Sequence, residues 1–67
     1  MRAAMLGYTK RRIDALGPLV ATTFVDTFVA LADGRSDDAL RHYAEYSLRI
    51  SELSAICLAH SLLAGDP

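Results

Sequence analysis

Residues 51–65 read SELSAICLAHSLLAG, and after Glu52 no acidic or basic residue follows until Asp66, apart from the titratable His60. Read as the end of a helix, this run is apolar on every side. A helix of that kind is normally buried on several sides. The chain has only 67 residues with which to bury it. A domain this short is marginal alone unless disulfides, metal or oligomerisation help it. Cys57 is the sole cysteine, so an intrachain disulfide is excluded. A reducing, cytoplasmic setting fits that usage.

Two breaks are expected along the chain. At Gly17-Pro18 the proline suits the first position of a helix and disfavours helix in the residue before it. At ADGRSDD (residues 32–38), Gly34 can take the left-handed conformation that closes a helix. Ser36 is a good N-cap for the next one, with Asp37 and Asp38 in its first turn opposing the positive end of the dipole. Gly65 with Asp66-Pro67 marks a stop. The prediction is therefore a single all-α domain over residues 1–67 with three helices. A short basic helix covers about 3–16, a second covers about 18–32, and a long third covers about 37–64. The last two form a hairpin.

The second helix has strand-favouring residues, but strict alternation fails at Phe24-Val25 and Phe28-Val29. Val20, Phe24, Phe28 and Leu31 share a face at helical spacing, and Phe24 and Phe28 are expected to anchor it on the third helix. In the third, Arg41, Glu45, Arg49 and Glu52 form a charged ladder that marks the wet face. A line of small residues, Ser47, Ser51, Ser54 and Ser61, lies between two apolar edges. Serine can bond back to a carbonyl one turn earlier and so admit a neighbouring helix closely.

Length then becomes decisive. At 1.5 Å per residue the first two helices each span about 22 Å and the third about 40 Å. The short helices would leave part of residues 53–64 bare. Burying one Leu or Ile is worth roughly 1.5–3 kcal/mol, so a partner is expected there. The simplest is a second copy completing a helical bundle as a homodimer or higher oligomer; another protein partner is the competing cover. The expected self-association surface is Ile50, Leu53, Ile56, Cys57, Leu58, Leu62 and Leu63, with Ser54 and Ser61 permitting close approach.

Chemistry-bearing patterns are sparse. Cys57 and His60 supply two metal-type ligands at most, short of the three or four a site needs, and no metal or cofactor is expected. His60 and Ser61 are adjacent, so on a helix they point apart and make no nucleophile–base pair. No phosphate loop or zinc-protease motif occurs. An enzyme is not expected. Lys10, Arg11 and Arg12, beside Tyr8, are the candidate phosphate contacts of an alternative reading as a dimeric nucleic-acid-binding regulator. Against it, consecutive helical positions fan out around the axis, and the net charge is −1. A second alternative is peripheral attachment of the first helix to an acidic membrane surface. No transmembrane segment is expected, because the apolar stretch 17–32 is short and holds Asp26.

The segment DDALRHYAEYSLRISEL, with the later His60, faintly resembles the N-terminal helical dimerisation domain of phosphatases that regulate bacterial stress-response sigma factors. The span from Leu40 to His60 is about a turn shorter than in that pattern, and no diagnostic motif accompanies it. The reading of the residues therefore stands apart from that resemblance. It leads to a non-enzymatic helical interaction or oligomerisation module, regulatory or adaptor in role.

Overall fold

The structure, a computed structural model, describes residues 1–65. It is all-helical, but it has two helices where three are predicted. Helix α1 runs over Arg2–Ala32 and helix α2 over Ser36–Ala64. They form one long antiparallel hairpin with overall extents of 48 × 18 × 14 Å.

The Gly17-Pro18 break is overturned: Pro18 lies inside α1. Proline in a helix interior costs about 3 kcal/mol relative to alanine, but that penalty is local. Packing across the hairpin opposes it. The buried residues of α1 are Thr9, Leu16, Thr23 and Ala30, each seven positions after the last. Leu6, Ile13, Val20 and Thr27, partly buried, fill the intervals at alternating steps of three and four. The repeat passes through Pro18 without a slip. Ending the helix at Leu16 would turn the later half of this stripe away from α2. Pro18 and Asp14 are both exposed, so the carbonyl that loses its donor can be hydrated.

Helix α2 carries the matching stripe. Ala39 is buried, and His42, Tyr46, Arg49, Leu53, Ile56, His60 and Leu63 are partly buried at the same alternating spacing. Such a repeat averages 3.5 residues and is the grammar of a coiled-coil seam. The Thr9–His60 and Phe24–Tyr46 contacts fix its antiparallel register. That register sets Leu16 level with Leu53 and Ile13 level with Ile56. The wet ladder is therefore only partly wet: Arg49 falls in the seam, and Arg12 of α1 reaches Glu52 at 2.9 Å.

Threonine fits this seam because its hydroxyl is satisfied within its own helix. Thr23 donates to Leu19 O at 3.0 Å or Val20 O at 3.1 Å, and Thr27 donates to Thr23 O at 2.8 Å. Each then packs almost as a small apolar residue.

The turn closes as expected at Gly34, which has φ 72°. Arg35 N–H donates to Ala30 O at 2.8 Å and Gly34 N–H donates to Leu31 O at 3.1 Å. This paired closure satisfies the last carbonyls of α1. Ser36 does not cap α2. The cap position falls to Arg35, whose carbonyl accepts from Ala39 N–H at 2.9 Å. The α1 closure delivers the chain into helix one residue early. Arg35 also bonds Asp38 at 2.9 Å and Asp33 at 3.3 Å, and these partners, Asp38 first, raise its pKa. Asp37 and Asp38 occupy the first turn as read. Gly65, φ 78°, ends α2; Asp66 and Pro67 lie outside the described residues.

Candidate interaction surface

Because α1 is continuous, it covers the whole length of α2, including residues 53–64. The expectation that two short helices leave this end bare is corrected. One helix still covers only one stripe, and the predicted interface residues divide accordingly. Leu53, Ile56 and Leu63 turn into the seam toward α1, partly buried. Ile50, Ser54, Cys57 and Ser61 lie along one flank of α2, with Ser54 and Cys57 exposed. Leu58 and Leu62 stand on its outer side, 62% and 66% exposed. These residues face three directions and do not form one flat surface.

A flank missed in the sequence reading is better built. In the heptad register, Gly17, Ala21, Phe24, Phe28 and Leu31 of α1 lie on the same side of the hairpin as Leu40, Tyr43, Ser47 and Ile50 of α2. Phe24 does meet α2 at Tyr46, but neither phenylalanine is a core residue: both remain about half exposed. They belong instead to an aromatic cluster on this flank. Ring centroids of Phe24 and Phe28 are 4.9 Å apart, Phe24 and Tyr46 5.6 Å, and Tyr43 and Tyr46 6.4 Å. Such separations suit tilted aromatic pairs.

Two adjoining grooves open here. Phe24, Phe28 and Tyr46 line one, Ala39 and Leu40 line the other, and Thr27, Leu31 and Tyr43 are shared. No charged side chain lines either groove. The signal in the sequence was the stripe Phe24, Phe28, Leu31 itself. Its destination was misjudged because the true seam is built from smaller and more polar residues.

The basic triplet does not converge. Lys10 pairs with Asp14 at 3.9 Å, and Arg12 is held across the hairpin by Glu52. Arg11 is exposed on a third side. Exposed pairs of this kind contribute about 0–1 kcal/mol each.

Besides the Arg12–Glu52 pair, a second polar contact joins the helices within the seam. Thr9 Oγ1 lies 2.7 Å from His60 Nδ1, and 3.0 Å from Met5 O and 3.1 Å from Leu6 O. With Nδ1–H donating to Thr9 Oγ1, and the hydroxyl donating to a carbonyl, both of these groups are satisfied. Thr9 is buried, so the hydroxyl is not presented to a solute, and the pair acts as a cross-link between helices. Thr9→Val, which keeps the shape and removes the oxygen, is expected to cost about 1–2 kcal/mol in urea denaturation. A loss below a few tenths would show the bond to be ornamental. Cys57 is exposed and free. Among the described residues no three His, Cys, Asp or Glu side chains gather as a metal site.

By length and composition α1 is apolar enough to cross a membrane, a property it shares with core helices of soluble proteins. No family model matches the chain, and neither does any curated protein or solved structure.

Proposed function

We propose that this chain is a non-enzymatic self-association module, regulatory or adaptor in role, in which a second copy of the hairpin completes a helical bundle. The observation that carries this reading is surface. The hairpin exposes 4745 Å², whereas a compact monomer of 7.3 kDa exposes about 4,200 Å². Its radius of gyration is 15.0 Å against about 11 Å for a compact domain of this length. Phe28, Leu40 and Tyr43, which share one flank of the hairpin, are each more than half exposed. Patches of that kind mark interaction sites.

Association is linked to stability, because a partner that binds only the folded chain raises the melting temperature with concentration. Melting followed by helical circular dichroism is expected to shift upward by several degrees over a hundredfold rise in protein concentration. A melting temperature independent of concentration would count against the module.

The apolar length of α1 makes insertion of this helix into a membrane the second reading. Two features oppose it. Asp26 lies within α1, and α2, packed along it, carries Asp37, Asp38, Arg41, Glu45, Arg49 and Glu52. Charges at membrane depth are costly. Flotation with neutral and anionic vesicles discriminates: the module reading expects the chain to stay in the soluble fraction with both.

A further inference from the structure

We draw no further inference here: the strongest candidate, the apolar flank of the hairpin beside the turn, where Phe24, Phe28, Leu31, Leu40 and Tyr43 border two open grooves, is an unpartnered face, and nothing in the structure shows what covers it.

Discussion

Leu16→Ala is expected to destabilise the chain by about 2–5 kcal/mol, the range for truncating a buried leucine. Among the described residues Leu16 is the single large side chain with no exposed surface. It sits near the middle of the seam, level with Leu53. A domain of this length has roughly 3–10 kcal/mol of stability in all, so one truncation removes much of it. Urea denaturation should show the midpoint collapsing, with helical signal lost in buffer at the upper end of the range. Leu58→Ala, at a side chain 62% exposed, is the control and should cost under about 1 kcal/mol. Equal losses at the two positions would mean that the seam lies elsewhere.

Pro18→Ala should have an effect of similar size and opposite sign. If α1 is continuous, proline forfeits a helix hydrogen bond and its ring crowds the carbonyl of Asp14. Alanine relieves both, for a gain of roughly 2–3 kcal/mol. In a domain this small that corresponds to a rise in Tm on the order of 10–20 °C. The three-helix alternative gives the contrary result. There proline would begin a helix with its φ already suited to the position, and alanine would be neutral or harmful. No rise in Tm would therefore restore the break at Gly17-Pro18.

This contrast shows how far the residues alone could be read. The all-α class, the left-handed closure at Gly34, the acidic first turn at Asp37-Asp38 and the stop at Gly65 are local matters. Backbone chemistry decides them within a few residues. The fate of Pro18 is not local: it depends on Leu16, Val20 and Thr23 having an opposing helix at the right height. The seam is also difficult to read because it includes Thr9, Thr23, Thr27, His42, Arg49 and His60, while Phe24 and Phe28 sit outside it. Counting large apolar residues selects the flank and mistakes it for the hairpin core. The repeat of seven from Thr9 to Ala30 was present in the sequence, but it is visible only when threonine is counted as a core residue. Thr9–His60 was out of reach because it joins residues 51 positions apart in the chain.

The apolar flank also explains why the inference of a missing partner outlives the three-helix picture that first suggested it. The distal part of α2 gains a cover once α1 is continuous. Grooves then lie open beside aromatic rings in the turn half, while Leu58 and Leu62 stay exposed on the outer side of α2. Self-association remains the proposal in either picture; the three-helix reading placed its surface at Ile50, Leu53, Ile56, Cys57, Leu58, Leu62 and Leu63, whereas the hairpin also leaves Phe28, Leu40 and Tyr43 exposed on the turn-half flank.

Light scattering on the full-length chain across a wide concentration range tests the incomplete hairpin most directly. The expected mass is twice 7.3 kDa or a higher multiple, falling toward the single-chain value only on dilution. A constant mass of 7.3 kDa, with helix content and cooperative melting intact, would contradict it.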